Sequence, residues 1–291
     1  MKLKWRYFIF IAIVYFFFMF TFYKNFTHFI SSQKLFIIHT ALFQPEHSIV
    51  GDISLISLLS LKFAKIIGQP DRLKFYYNKL PYGPHFNQAQ QYIDELEQVV
   101  APREVFGNPI QDLTHAKDVF QLQTLLKYGG AFLDLDIFAL QNLRPLFVQN
   151  DFVMGNQSDK HLVAAMVIAK KDSKFLNRWY QGYKTFNDSL WDIHSGQVSK
   201  NLSQMYPKEI KVLTLEEMAQ PGPSHEGMRM AFLDRSYNYS KNYVTHLWSH
   251  MSNLMLAKID IQKILTIDNS FFCQIRHLIS DIASVFIPSE A

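Results

Sequence analysis

Leu125-Leu126-Lys127-Tyr128-Gly129-Gly130-Ala131-Phe132-Leu133-Asp134-Leu135-Asp136 is the stretch on which the reading of this chain turns. It completes an amphipathic pattern over residues 114–128, which predicts a helix with Thr114 as N-cap and Gly129-Gly130 as its stop. Ala131-Phe132-Leu133 is a short apolar run of the kind that forms a buried strand, and two acids follow it, separated by one leucine. In extended chain, residues two apart project to the same face, so Asp134 and Asp136 can converge while Leu135 turns into the core. Two hard oxygen donors at a strand end suit a divalent cation such as Mn²⁺ or Mg²⁺, with its other positions left for phosphate oxygens and water.

Working outward, short apolar runs alternate with longer amphipathic ones. Residues 35–38 read as a buried strand, residues 53–67 as a helix stopped by Gly68 and Pro70, and residues 73–77 as a second strand. Pro81-Tyr82-Gly83-Pro84 is a turn signal, and a helix is expected from about residue 86 to residue 100. Downstream, residues 163–169 are a strand candidate, residues 173–186 and 195–205 helix candidates, and residues 271–286 an amphipathic helix. This alternation predicts an α/β fold with a mostly parallel sheet covered by helices. Ligands of such sheets bind beyond the carboxyl ends of the strands, where the Asp pair falls.

The 291 residues are 48% hydrophobic, with 26 Phe and 14 Tyr, which excludes a disordered or low-complexity chain. The formal charge of +4 is modest, and Lys2, Lys4 and Arg6 sit ahead of an apolar N-terminus. No basic block or nucleic-acid motif appears, so a nucleic-acid partner is not expected. Tyr7 to Tyr23 carries no charge and as a helix would span roughly 25 Å, enough for an early-secretory bilayer of about 27 Å. The basic flank favours a cytoplasmic N-terminus, and Thr21-Phe22-Tyr23 is too bulky for a signal cleavage site. The expected layout is a cytoplasmic tail 1–6, a transmembrane signal anchor 7–23, a short stem 24–34 and a lumenal domain 35–291. That describes a single-pass type II protein of the Golgi or endoplasmic reticulum membrane. Five Asn-x-Ser/Thr triplets, at Asn25, Asn156, Asn187, Asn201 and Asn238, agree with a lumenal domain. Cys273 is the only cysteine, so no intrachain disulfide exists, a pattern more usual of reducing compartments.

The run from Leu125 to Asp136, with His115-Ala116-Lys117-Asp118 before it and Asn142-Leu143-Arg144-Pro145-Leu146 after it, resembles the DXD-motif sugar transferases. That family includes the Golgi initiating α-mannosyltransferase and the animal α-1,4-galactosyl- and α-1,4-N-acetylglucosaminyltransferases. His246-Leu247-Trp248 with Ser252 is similar to the family's C-terminal His-x-Trp element. The specific match covers residues 114–146, and a looser likeness runs from Ile37-Ile38-His39 to Ser252. The resemblance implies a GT-A-type fold and metal-assisted, retaining transfer of a hexose or N-acetylhexosamine. The donor would be a UDP- or GDP-sugar and the acceptor a glycan or glycolipid. It implies that Asp136 ligates the metal on the donor diphosphate and that Asp134 binds the ribose or reaches the metal through water. Asp118 would hydrogen-bond the donor sugar, and His246, Trp248 and Ser252 would close over the diphosphate.

The chain departs from the family at Gln121, where an Arg usually follows the helix Asp by one turn. Gln can bond sugar hydroxyls but carries no charge. Residues 163–165 also lack an expected Asn. Two other readings exist. An aspartyl-phosphate phosphatase also places Asp-x-Asp after an apolar strand, but it has a small polar residue where Phe138 stands. A membrane-bound sugar-binding or adaptor protein on a degenerate transferase fold has Gln121 as its best support.

Overall fold

The computed structural model describes residues 35–286, and all of these after Leu35 belong to one compact unit beginning at Phe36. The expected tail 1–6, anchor 7–23 and stem 24–34 lie outside the described residues. Among those described, no helix is long and apolar enough to cross a membrane.

Seven strands form one sheet. They are β1 (Ile37–Leu42), β2 (Arg72–Tyr77), β3 (Glu95–Gln98), β6 (Gly130–Leu133), β8 (Phe152–Asn156), β9 (Leu162–Ala169) and β10 (Lys211–Leu213), in the order β10-β8-β9-β6-β1-β2-β3. The short strands β4 (Glu104–Val105) and β5 (Asn108–Pro109) make a hairpin, and β7 (Ile137–Ala139) pairs antiparallel with β11 (Val244–His246). The pairs β1–β2, β2–β3, β1–β6 and β8–β10 are parallel, while β9 runs antiparallel to both of its neighbours. A mostly parallel α/β sheet is therefore present, as the alternating pattern predicts.

Burial explains the strand sequences. In β6, Ala131 and Leu133 join one apolar cluster and Phe132 the other, so all four residues of the strand are buried. A strand covered on both faces reads as a continuous apolar run rather than an alternating one. One cover is helix α1 (Leu55–Ile66), capped by the Ser54 hydroxyl on the Ser57 N–H. Helix α2 (Pro84–Ala89) packs on the same side, and α3 (Leu113–Tyr128) lies on the opposite one. Chain order reverses between β1 and β6, since β2 and β3 extend the sheet on one side and β9, β8 and β10 on the other. The carboxyl end of β6 therefore opens at a topological switch point.

Three expectations are corrected. The helix expected over residues 86–100 stops at Ala89, passes through a turn of 3₁₀ helix at Gln90–Tyr92, and gives way to edge strand β3. Glu95 and Glu97 of that strand pair with Lys74 of β2 at 3.3 and 2.5 Å, cross-strand contacts that a local pattern cannot reveal. Asp112, not Thr114, caps α3, its carboxylate accepting from the Thr114 N–H at 2.7 Å. The helix expected over residues 271–286 is broken into Ser270–Ile275, a 3₁₀ turn at Arg276–Leu278, and Ser280–Phe286. There the Arg276 guanidinium turns back onto the carbonyls of Ile264 and Ile267.

The Gly129-Gly130 stop has a specific cause. Gly129 has φ 68° and Gly130 φ 107°, and a Cβ on Gly130 would lie 2.3 Å from the Ile37 carbonyl oxygen. The chain must turn from α3 directly into a strand pressed against β1, which only glycine permits. His39 supports the same corner. Its Nε2 is 3.0 Å from the Gly129 carbonyl and its Nδ1 3.2 Å from the Tyr76 hydroxyl. A carbonyl only accepts, so Nε2 carries the proton and Nδ1 accepts from Tyr76.

This neutral, fully buried ring makes stability pH-dependent. Burial, opposed by the bond to Gly129, pushes the His39 pKa down from 6.5 to about 4. As pH falls below 6.5 the unfolded chain takes up a proton that the folded chain refuses until about pH 4. Stability should therefore be lost across that window, by about 3 kcal/mol from this residue. His39→Gln should flatten the dependence, as read from urea midpoints between pH 7 and 4.5. Equal acid losses in parent and variant would refute the assignment.

Candidate active site

Asp134 and Asp136 lie just past β6 on a turn, not on extended chain as the two-residue periodicity suggests. The Ile137 N–H donates to the Asp134 carbonyl at 3.1 Å, and Leu135 is half-buried against the core. The Ser60 hydroxyl of α1 donates to the Ile137 carbonyl at 2.7 Å and pins the turn from below. The two carboxylates are thereby handed to different neighbours.

Asp134 meets α3. Lys117 Nζ lies 2.7 Å from both Asp134 oxygens and 3.2 Å from Asp118 Oδ1. Burial disfavours the ammonium, but Asp134 and Asp118 outweigh it and raise the Lys117 pKa. Burial also dominates at Asp134. There Lys117 pulls downward while Asp136 and Asp118 add to the upward push, and the net shift is upward. Three carboxylates share this corner with one ammonium, so the single cation does not compensate them all.

Asp136 meets the C-terminal part of the chain. Strand β11 pairs with β7 in the register His246–Ile137, which sets His246 beside the acid, Nε2 to Oδ2 at 3.3 Å. The Leu247 N–H then donates to the Asp136 carbonyl at 3.0 Å. Trp248 adopts left-handed backbone angles, φ 53° and ψ 48°, uncommon for so large a residue. That reversal starts helix Ser249–Leu256, and the Ser249 N–H donates to Asp136 Oδ2 at 2.7 Å. Trp248 offers this helix no side-chain cap, so Asp136 supplies the oxygen that an N-cap residue would. Burial opposes ionisation of Asp136, but His246 and Ser249 outweigh it and hold the carboxyl well below the usual range.

The other expected residues divide. The Trp248 ring lies 4.1 Å from that of His246, and its Nε1 donates to the Pro221 carbonyl at 3.3 Å. It forms one wall of a cleft of about 300 Å³ lined also by Gln157, Pro221, Ser224, Glu226 and Met230. The Ser252 hydroxyl is turned onto the Leu247 and Trp248 carbonyls, at 2.6 and 3.0 Å, and so secures the Trp248 turn. Asp118 is buried beside Lys117. Gln121 is 0% exposed; its Nε2 donates to the Ala164 carbonyl of β9 at 2.9 Å and its Oε1 has no partner.

Three features of the site were passed over in the sequence. Lys117 has a visible signal, a basic residue beside an acid on the helix preceding Asp-x-Asp. His115 Nδ1 lies 2.8 Å from Asp188 Oδ1, and its Nε2 is 3.0 Å from the Trp191 carbonyl. Both ring nitrogens face acceptors, and the His115 pKa is raised: Asp188 and the Trp191 carbonyl outweigh burial. Trp191, 48% exposed, stacks on His250 with ring centroids 4.8 Å apart. It thus spans the starts of the two helices that hold the Asp pair. Nothing local in the sequence marks Trp191.

Among the described residues, no group of three His, Cys, Asp or Glu side chains forms a ready metal site. The chemistry of the donors nonetheless fits a divalent cation in one place. Asp136 carries no lysine or arginine and has an imidazole beside it, whereas both oxygens of Asp134 are taken by an ammonium.

Residues 59–153 match the family model for the glycosyltransferase sugar-binding region containing a DXD motif. That stretch of the chain is similar to the sugar-binding region of the DXD-motif glycosyltransferases. The matched residues include α3, the Gly129-Gly130 corner and both acids. The chain is 25% identical over 246 residues to glucan organizing enzyme 1 of Cryptococcus neoformans var. grubii, covering 81% of this chain and 67% of that one. Among solved structures, the PaToxG glycosyltransferase is 15% identical, covers 60% of this chain and 70% of its own, and gives a TM-score of 0.40. An active-site mutant of LgtC is 12% identical, covers 78% of this chain and 98% of its own, and gives a TM-score of 0.41.

Proposed function

We propose that this chain is a glycosyltransferase that moves a hexose or N-acetylhexosamine from a UDP- or GDP-sugar to a glycan or glycolipid acceptor, with retention of anomeric configuration. The observation that carries the reading is the meeting of the β6–β7 turn with the start of the Ser249 helix, which sets Asp136 between His246 and the Ser249 N–H. A nucleoside diphosphate is a leaving group that needs charge stabilisation more than a proton. Backbone N–H groups at a helix start and an imidazole are suited to that work. Asp136 and His246 are the residues that would hold Mn²⁺ or Mg²⁺, and the metal would neutralise the charge that develops on the diphosphate.

The chain's own groups do the rest. Asp118 is an acceptor for donor-sugar hydroxyls, while Lys117 keeps Asp118 and Asp134 in place. Trp248 separates the metal side from the cleft containing Gln157 and Glu226, the natural seat for an acceptor. The apolar run from Tyr7 to Tyr23, with its basic flank, supports placement as a type II protein of the Golgi or endoplasmic reticulum membrane.

The test is nucleotide release. The full chain, incubated with UDP- and GDP-sugars and Mn²⁺, should liberate nucleoside diphosphate slowly in water and faster with acceptor. Gln121→Ala, which empties a fully buried position and strips the Ala164 carbonyl of its donor, should cost about 1–3 kcal/mol of stability. Absence of release across the panel, with the chain folded, would sink the reading and leave a sugar-binding protein.

A further inference from the structure

We infer that Lys117 is a built-in counter-cation for Asp134, so that of the two motif acids only Asp136, with His246 beside it, is left for a divalent metal, which binds weakly until a diphosphate supplies its remaining ligands. The inference deepens the proposed transferase reading and rests on it for the diphosphate.

The argument is one of occupancy and charge. An ammonium has three N–H donors, and those of Lys117 meet three oxygens: both of Asp134 at 2.7 Å and one of Asp118 at 3.2 Å. The three side chains are 16%, 21% and 8% exposed, so water screens their charges little. A second cation at Asp134 would have to displace Lys117 or sit against it, and like charges in a poorly screened site repel strongly. Asp136 faces no such barrier, because its neighbours are an imidazole and the Ser249 N–H. The two acids of the motif are therefore unequal. Asp134 is committed to α3, and Asp136 remains for the metal. With Asp118 counted, the corner carries three carboxylates and one ammonium, a balance that a divalent cation would close.

Lys117 is thus a positioning residue that acts through Asp134, and its signature is metal affinity rather than turnover. Mn²⁺ alone is the probe, titrated into the full chain and followed by the electron paramagnetic resonance of free Mn²⁺, then repeated with UDP and with GDP. The parent should bind Mn²⁺ weakly alone and at least tenfold more tightly with a nucleoside diphosphate. Lys117→Met should tighten the nucleotide-free binding at least tenfold, and Lys117→Arg should leave it at the parent level. Asp134→Asn, which leaves the Lys117 charge less compensated, should weaken parent binding only in part, whereas Asp136→Asn should remove it. Should Lys117→Met leave the corner too negative to fold, Lys117→Met combined with Asp118→Asn removes one carboxylate as well and should still bind more tightly than Asp118→Asn alone. Equal losses from Asp134→Asn and Asp136→Asn, or no tightening on removal of the lysine, would overturn the inference. The measurements with Mn²⁺ alone stand apart from donor turnover, so a failure here is distinguishable from a failure of the transferase reading.

Discussion

Asp136→Asn is expected to lower donor turnover by about a thousandfold or more while leaving the melting temperature close to that of the parent. The substitution removes the charge of the acid best placed to take a metal, and with it the charge stabilisation of the departing diphosphate. It does not remove the cap. An asparagine oxygen can still accept from the Ser249 N–H, which now meets Asp136 Oδ2 at 2.7 Å, and the Leu247 N–H goes to the backbone carbonyl in either case. Asp136→Ala differs in this respect. It leaves the first turn of the helix Ser249–Leu256 without an acceptor, because Trp248 provides none, and should cost about 1 kcal/mol further, as lost N-caps do. Steady-state release of nucleoside diphosphate, paired with thermal unfolding of both variants, separates the two roles. Retention of more than a tenth of parent turnover by the asparagine variant, or equal destabilisation by both, would contradict this account.

The largest effect on stability is expected at Gly130. Its φ of 107° lies where side-chain-bearing residues are strained, and a Cβ there would approach the Ile37 carbonyl oxygen to 2.3 Å and His39 Nε2 to 3.2 Å. Relief requires β6 to withdraw from β1, which breaks the parallel pairing Ile38–Ala131 and His39–Phe132 and unseats His39 from Gly129. Gly130→Ala should therefore cost about 3 kcal/mol or more, equivalent to a fall of roughly 6–12 °C in Tm for a domain of this size. Activity should fall with it, since Asp134 begins four residues later. Gly51→Ala is the matched control: nothing lies within 4 Å of its Cβ position, and Tm should move by less than about 2 °C. Similar losses in the two variants would show that the corner tolerates a side chain after all.

How far the sequence carried the argument differs by element. Strands β1, β2, β6 and β9 and helices α1 and α3 were legible because each is an uninterrupted apolar or amphipathic run closed by a local breaker. Strand β3 was not, because Glu95-Leu96-Glu97-Gln98 alternates too weakly to outweigh the helical pattern before it. What makes it a strand is Lys74 on its neighbour, 21 residues away from Glu95 in sequence, with which both glutamates pair. The C-terminal helix was read as continuous because amphipathicity does not report a break imposed by Arg276 reaching for carbonyls on the preceding helix and loop.

The site divides along the same line. Asp134, Asp136 and the glycine corner are close in sequence, and their pattern is visible in the chain. Asp118 and His246-Leu247-Trp248 stand out only by resemblance.

By itself the sequence determined that this is an α/β chain with an acid pair at the end of a buried strand, since hydrophobic periodicity and glycine punctuation are local properties. Only the tertiary structure decided which acid does what. Lys117 reaches Asp134 across 17 residues and Ser249 reaches Asp136 across 113. Electrostatic balance and backbone capping depend on distance in space, which no spacing in the chain encodes. The same folding that buried the pair gave one acid a permanent cation and the other a helix start.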